Sequence, residues 1–319
     1  MRAKTRGCAG KVRGNAPIFV GRAIFYEAKM EAISKLRTHL PTEFQQKLLD
    51  ASLLSINALN NPLRLNNFST AFRELVRHVF DHFGPDEEIK KCEWYKPEPT
   101  SRTGVTRAHR VGFVIHGGIA PDYARDVLEI DVDSERKRVV SAIDALSKFT
   151  HVNEATFGVP VGEVDARVAD ACAALQNVLE TADFARKTLV AAIEYAVKKE
   201  VVQAVLQETV ASVDEIASHH FIDEVSVDSV HVLRIGATEI EFVAHGTLEV
   251  ELQWGSNSDV RNDLGAVGND SFPLTLRLVS PVSAPGQVEA VEGTLVVDTS
   301  DWFEHDTDRD DEASDLVPL

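Results

Sequence analysis

The spacing of apolar residues changes near Ile222, and this change constrains the fold more than any other feature of the chain. Before it, apolar side chains such as Phe68 and Phe72 recur every three or four residues, which predicts amphipathic helices. After it, residues such as Ile240 and Phe242 alternate with polar ones, which is typical of strands with one solvated face. We therefore expect an α+β chain, with an all-helical N-terminal domain followed by a small antiparallel β-domain.

The pattern divides the chain into four segments. Residues 1–40 carry nine basic and two acidic side chains without a sustained helical period, so we expect a disordered basic extension. Residues 41–221 form the predicted helical domain, residues 222–304 the antiparallel β-domain, and residues 305–319 an acidic disordered tail. Within the helical domain, helices are predicted near residues 43–59, 67–83, 107–114, 122–128, 136–149, 163–199 and 201–220.

Charge and cysteine content narrow the classes of function. A formal net charge of −17 argues against a surface that coats duplex nucleic acid non-specifically, although it leaves room for one local basic groove. Cys8, Cys92 and Cys172 are far apart and form no CxxC pair, which is typical of a cytoplasmic protein. No apolar run approaches the ~18 residues of a membrane span, so no membrane partner is expected.

The densest polar cluster surrounds the predicted strand that ends near Gln253. One hypothesis is that Glu251, Asp259 and Asp263 converge as catalytic carboxylates that bind Mg²⁺ or Mn²⁺, because hard cations prefer carboxylate oxygens. Arg261 would then hold a phosphate of the substrate. The other interpretation is a solvated strand face followed by Gly-Ser-Asn-Ser-Asp turn residues, and the residues alone favour it.

A second set of candidates consists of basic and histidine side chains in the helical part. His151 or His78 could serve as the acid or base of a metal-free ribonuclease, with an arginine on the phosphate. The other interpretation of His151 is capping of a helix C-terminus, and the residues favour it. The only evident place for a basic nucleic-acid groove is formed by Arg73, Arg77, Lys96, Arg107 and Arg110.

Seven strings along the chain resemble one family. They are PLRLNNF (62–68), RELxRH (73–78), WYK (94–96), LSKFTH (146–151), ASHHF (217–221), ELQWGSNSD (251–259) and DTSDWFE (298–304). This pattern is similar to the bacterial family of predicted pPIWI-associating nucleases and covers residues 41–304. The resemblance implies a nuclease of a prokaryotic defence system against phages or plasmids. It carries no fixed catalytic residues over to this chain.

Two function hypotheses follow. The first is divalent-metal-dependent phosphodiester hydrolysis of DNA or RNA. The second is a non-catalytic sensing or adaptor protein that binds a protein or nucleic-acid partner, with Trp254 and Trp302 as interface anchors. Carboxylates that converge within reach of one metal ion favour the enzyme, whereas splayed carboxylates favour the adaptor.

Overall fold

The computed structural model describes residues 17–207 and 211–303, with side chains described from residue 27 and, beyond the gap, from residue 212. Helices come first and an antiparallel sheet follows, so the predicted α+β class is confirmed. Helix α2 begins where the sequence predicts a helix start, and the Thr42 side chain caps it by accepting a hydrogen bond from the Gln45 backbone N–H at 3.2 Å. The helices are α1 (Pro17–His39), α2 (Glu43–Asn57), α3 (Arg64–Phe83), α4 (Asp86–Ile89), α5 (Arg107–His116), α6 (Pro121–Asp126), α7 (Val132–Ser147), α8 (Val161–Gln207), α9 (Ala211–Asp214) and α10 (Asn257–Arg261).

Helix α1 corrects the expectation that residues 1–40 form a disordered extension. Leu36 and Leu40 are buried, and the Lys29 ammonium lies 2.5 Å from the Asp165 carboxylate in a buried ion pair. This pair joins segments that are far apart in the sequence, so the local pattern does not reveal it. Residues 1–16 of the basic segment, and the acidic tail from residue 305, lie outside the described residues.

Helix α8 replaces the two long helices that the sequence predicts. The apolar pattern after residue 160 contains no proline, and its one glycine, Gly162, lies in the first turn, so nothing breaks the helix before Gln207. The second predicted helix, 201–220, is wrong at its end, because His219 and His220 already belong to the first strand.

Contacts group the chain into two compact units, each of which draws on separate stretches of sequence. One unit combines the described part of Met1–Val79 with Lys137–Leu179, and the other combines Phe80–Arg136 with the described part of Glu180–Leu319. The sheet therefore shares a unit with α4, α5 and α6. The consecutive domain limits at residues 41, 221 and 304 stay a prediction.

The sheet consists of long antiparallel strands with the order β1-β2-β3-β4, and β5 also pairs with β3. Even-numbered residues of β2 from Ile240 to Leu252 are buried, whereas odd-numbered ones lie on a more open face. A hydrogen bond from the Ala290 N–H on β4 to the Glu200 carboxylate on α8, at 3.0 Å, links the sheet to that helix. The strands are β1 (His219–Ile235), β2 (Glu239–Trp254), β3 (Ala266–Pro281), β4 (Glu289–Ala290) and β5 (Val296–Val297).

Three irregularities interrupt the pairing of β1 with β2. The extra residues on β1 are Asp223, Asp228 and Leu233, and each shifts the register by one position. Opposite the second irregularity, Gly246 brings β2 so close to β1 that an added Cβ would clash with the Ser226 carbonyl oxygen. Glycine is therefore required at this position for close backbone approach.

The turn between β1 and β2 packs against α5. The Gly118 N–H donates to the Gly236 carbonyl at 2.8 Å, and the Ala237 side chain joins a buried apolar cluster that includes Phe113. A Cβ on Gly118 would collide with the Ala237 carbonyl, so the Gly-Gly pair that ends α5 also permits this close contact.

His116, at the end of α5, is fully buried in the same region. Its Nδ1 lies 2.8 Å from the Ile119 carbonyl, to which it donates, and its ring centroid lies 5.4 Å from that of Trp94. Burial and, to a lesser extent, the charge of Arg136 lower the pKa of His116 to about 4.

His116 should make the stability of the protein depend on pH. Between its ordinary pKa of 6.5 and about 4, the unfolded imidazole binds a proton that the folded one does not. The free energy of unfolding should therefore fall as pH falls through this window, by up to about 3 kcal/mol at the lower end. Urea denaturation at pH 7.5 and pH 4.5 measures the change. His116→Phe should reduce this loss, whereas the exposed His219→Ala should leave it unchanged; equal pH dependence in wild type and His116→Phe contradicts the assignment.

Candidate functional site

The three carboxylates of the predicted metal site lie on different local elements. Glu251 is on the open face of β2, opposite Phe221 and Asn269. Asp259 is on the short helix α10, and Asp263 is an exposed residue after it with a φ of 58°. Arg261 is exposed at the end of α10. The sequence places these residues within one strand end and one turn, and in the structure they lie on β2, on α10 and just after α10.

Asp259 is already engaged in a capping box at the start of α10. Its Oδ2 accepts from the Ser256 backbone N–H at 2.8 Å and from the Ser256 hydroxyl at 2.7 Å, while Ser256 Oγ accepts from the Asp259 N–H. The hydrogen bonds from Ser256 lower the pKa of Asp259. The carboxylate thus has a local structural role, which agrees with the turn interpretation of this segment.

The other residues of this cluster also serve the turn. Gln253 is buried rather than solvated, and its amide donates to the Gly255 carbonyl at 2.9 Å and to Asn257 Oδ1 at 3.1 Å. Among the residues that the structure describes, no three His, Cys, Asp or Glu side chains come close enough together to hold a metal ion. Glu251, Asp259 and Asp263 therefore do not form the predicted cation site in this structure.

The two tryptophans proposed as interface anchors instead contact each other. The rings of Trp254 and Trp302 stack with centroids 5.8 Å apart, and both side chains are partly buried. The Trp254 indole N–H donates to the Ile216 carbonyl at 2.9 Å. These contacts explain the tryptophans as packing residues of the strand end.

The predicted basic groove is divided between the two compact units. Arg73, Arg77 and His78 belong to the first unit, on α3. Arg77 donates to Glu74 at 2.9 Å and lies 2.9 Å from His78 Nε2, whose ring also meets Phe44 edge-on. Arg77 and His78 thus make their side-chain contacts with residues of α3 and with Phe44 of α2.

Lys96, Arg107 and Arg110 belong to the second unit. Arg110 forms an ion pair with Asp86 at 2.5 Å, and Lys96 is exposed. His151 lies in the first unit, in the loop after α7, where its carbonyl accepts from the Thr156 hydroxyl at 3.0 Å. The five residues of the predicted groove are therefore divided between the units, and their role in nucleic-acid binding stays a prediction.

A different pair of histidines meets on the open face of the sheet. His231 on β1 and His245 on β2 are both exposed, and their ring centroids are 6.0 Å apart. In the register, His231 lies opposite Val243 and Ser229 lies opposite His245, so the histidines are diagonal neighbours. Two exposed imidazoles at this separation can both contact one small bound group, one as a proton acceptor and the other as a proton donor.

One hydroxyl contacts the histidine pair, and a hydroxyl–carboxylate pair lies further along the same face. The Nδ1 atom of His245 lies 3.1 Å from Thr275 Oγ1 on β3, across the strand. A hydroxyl can donate to a neutral imidazole or accept from a protonated one, so Thr275 supports His245 in either state. One residue pair further along, Thr247 donates to Asp228, the bulged residue of β1, at 3.1 Å.

An arginine lies beside the histidines on β3. Arg277 is opposite Val243, in the same row of the sheet as His231 and diagonal to His245. It donates to Glu241 at 3.2 Å, in an ion pair in which the arginine is 55% exposed. Exposed pairs of this kind are weak, and a guanidinium has further donors for a phosphate oxygen.

The sequence analysis missed His231 and His245. Both occur in segments of alternating polarity, where the apolar positions predict a strand and the polar positions receive no functional assignment. The turn at residues 236–238 could have indicated the pair, because a hairpin there brings the two segments side by side. The pairing of the two rings, however, depends on bulges that the alternation does not reveal.

Comparison with family models identifies the chain. Two models, each described as a predicted pPIWI-associating nuclease, match residues 37–175 and residues 182–303. The chain belongs to the predicted pPIWI-associating nuclease family. The resemblance noted from the sequence strings is thereby confirmed. The second match contains all five described strands of the sheet and the histidine pair.

Other comparisons add no relative to this family assignment. Neither a curated protein nor a solved structure matches the chain. Within the described ranges, none of the helices combines the length and apolar character that a bilayer crossing requires.

The capping box predicts how the Ser256–Asp259 turn responds to mutation and to cations. Ser256→Ala should destabilise the protein by about 1 kcal/mol, and Asp259→Ala should destabilise it through loss of the same hydrogen bonds. Mg²⁺ should leave the unfolding temperature of the wild type unchanged, because a bound ion would raise it. Thermal unfolding with Mg²⁺ or with EDTA measures both effects. An Mg²⁺-dependent increase that Asp259→Ala removes would instead establish the carboxylate site.

Proposed function

We propose that the protein is a nuclease of a prokaryotic anti-phage or anti-plasmid defence system, acting in the cytoplasm, and that it cleaves phosphodiester bonds on the open face of its sheet. The family supports the class of reaction. The observation that carries the site is the pairing of exposed His231 and His245, with ring centroids 6.0 Å apart and an arginine beside them.

These residues supply the functions that phosphodiester cleavage requires. One imidazole accepts the proton of the attacking hydroxyl, and the other donates a proton to the leaving oxygen. Arg277 binds a non-bridging phosphate oxygen and stabilises the negative charge that develops there. Thr275 contacts Nδ1 of the exposed His245 at 3.1 Å, which leaves Nε2 as the nitrogen that would act on the substrate.

The acidic net charge sets a condition for this proposal. With a net charge of −17, the protein must confine phosphate binding to a local region. Arg234 and Arg277 lie on either side of Glu241, at 3.9 Å and 3.2 Å, and Arg234 also pairs with Glu88 at 3.1 Å. Arg277, in the same row as His231, is therefore the arginine proposed to bind the phosphate. The acidic side chains Glu224, Glu249 and Glu251 occupy other rows of the same face.

A divalent cation, Mg²⁺ or Mn²⁺, stays a prediction from the sequence. The residues named for it, Glu251, Asp259 and Asp263, do not converge, and Asp259 is occupied by its capping box. No step of the proposed reaction is therefore assigned to a cation. The same cleavage assay, run with EDTA or with added Mg²⁺ or Mn²⁺, tests the cation requirement directly.

Substitution of either histidine should abolish most of the cleavage. We expect His231→Ala and His245→Ala each to reduce the cleavage rate at least about 100-fold, because proton transfer by a positioned side chain contributes this much or more. The matched control is His219→Ala, an exposed histidine on the same strand β1. Labelled DNA and RNA oligonucleotides, incubated with each variant, provide the measurement, and thermal unfolding verifies that each variant is folded.

The comparison with Asp259→Ala decides between the two sites. The histidine site predicts that Asp259→Ala retains cleavage under conditions in which it is folded. Loss of cleavage in Asp259→Ala, with full cleavage in both histidine variants, would place the reaction at the carboxylate cluster and contradict the histidine site.

A non-catalytic sensing or adaptor protein is the second candidate function. The observation in its favour is that the three predicted carboxylates do not form a cation site among the described residues. It predicts wild-type protein that binds nucleic acid or a protein partner and leaves every DNA and RNA substrate intact, with or without divalent cations. Such inertness would contradict the nuclease proposal.

A further inference from the structure

The chemistry of the histidine pair restricts the substrate, an inference that rests on the proposed nuclease function. His231 and His245, with ring centroids 6.0 Å apart on the exposed face, can supply one proton acceptor and one proton donor. Such a pair acts most effectively on a nucleophile that is already held close to the phosphorus atom. We propose that the substrate is RNA and that its own 2′-hydroxyl is this nucleophile.

The 2′-hydroxyl satisfies this requirement because it is attached to the same ribose as the phosphate that it attacks. An intramolecular nucleophile needs no binding site of its own and gains the large advantage of proximity. It is also the group that distinguishes RNA from DNA. An exposed, open sheet face suits a flexible single strand, whose backbone can lie across the strands.

The reaction then balances without a co-reactant. The neutral imidazole of the pair removes the 2′-hydroxyl proton as the 2′ oxygen bonds to phosphorus. The bond from phosphorus to the 5′ oxygen breaks, and that oxygen takes a proton from the other, protonated imidazole. The products are a 2′,3′-cyclic phosphate and a 5′-hydroxyl, and one proton has passed from substrate to one histidine and from the other histidine to product.

Two side chains near the histidine pair have proposed roles in this reaction. Arg277 is diagonal to His245 in the register, and its guanidinium, which is paired with Glu241 in this structure, would turn to bind a phosphate held between the rings. Thr275 is a positioning residue, because it contacts His245 and not the substrate. Thr275→Val should slow cleavage, and Thr275→Ser should restore it, because serine keeps the hydroxyl; a purely structural role of the threonine methyl group would give the opposite order.

The test compares three oligonucleotides of one sequence in EDTA: all RNA, all DNA, and DNA with a single ribonucleotide. We expect cleavage of the RNA, no cleavage of the DNA, and cleavage of the mixed strand only on the 3′ side of the ribonucleotide. The 5′ fragment should end in a 2′,3′-cyclic phosphate, identified by its mass. His231→Ala and His245→Ala should each lower the rate at least about 100-fold, and His219→Ala should not.

A substrate with sulfur in place of the bridging 5′ oxygen assigns the two roles. Sulfur leaves without protonation, so this substrate should restore cleavage to the variant that lacks the acid and not to the variant that lacks the base. Restoration in neither variant would contradict the division of roles between the histidines.

The outcomes separate this inference from the proposed function. Equal cleavage of DNA and RNA, or RNA products that end in a 3′-hydroxyl, would overturn the 2′-hydroxyl mechanism and leave the nuclease function intact. Inertness towards all three strands in EDTA, with cleavage restored by Mg²⁺ or Mn²⁺, would overturn the inference and support a cation-dependent nuclease. Inertness under every condition would overturn both.

Discussion

The bulge at Leu233 decides which side chains share the open face of the sheet. Between the turn and this bulge, Arg234 lies opposite Glu241. Continued without interruption, this register would place His231 opposite Ala244, on the buried face of β2. The extra residue shifts the pairing by one, so that His231 lies opposite Val243 and meets the ring of His245. The candidate site therefore depends on one residue that takes no part in it.

The same principle explains why the site is partly hidden from sequence reasoning. Alternation of apolar residues predicts that β1 and β2 are antiparallel strands, and this part of the fold is confirmed. Alternation alone does not determine register, because a single bulge moves a side chain from one face to the other. Gly246 offers a hint, since glycine within a strand often marks a bulge or a close backbone approach, and here it faces the second irregularity of β1.

The carboxylate cluster shows a second reason why sequence alone does not determine a site. An aspartate three residues after a serine at a helix start is the signature of a capping box, and an aspartate in a Gly-Ser-Asn loop is equally suitable for a hard cation. The residue types are the same in both cases, and only geometry separates them. At Asp259 the carboxylate turns back to the Ser256 backbone. Helix α1 illustrates a related difficulty, because its Lys29 is paired with Asp165, a partner far along the chain.

The acidity of the chain and the chemistry of the open face support each other. Most of a polynucleotide is repelled by a body with a net charge of −17, so non-specific coating is disfavoured and productive contact is limited to places with local positive charge. On the sheet, Glu241 pairs with Arg277 at 3.2 Å, and Arg234 pairs with Glu88 at 3.1 Å. An anionic phosphate would offer Arg277 a stronger partner than a partly solvated carboxylate in a weak pair. In the proposed nuclease, a strand that reaches the histidines would therefore meet Arg277 beside them, while Glu224 and Glu249 further along the face would resist its extension in that direction.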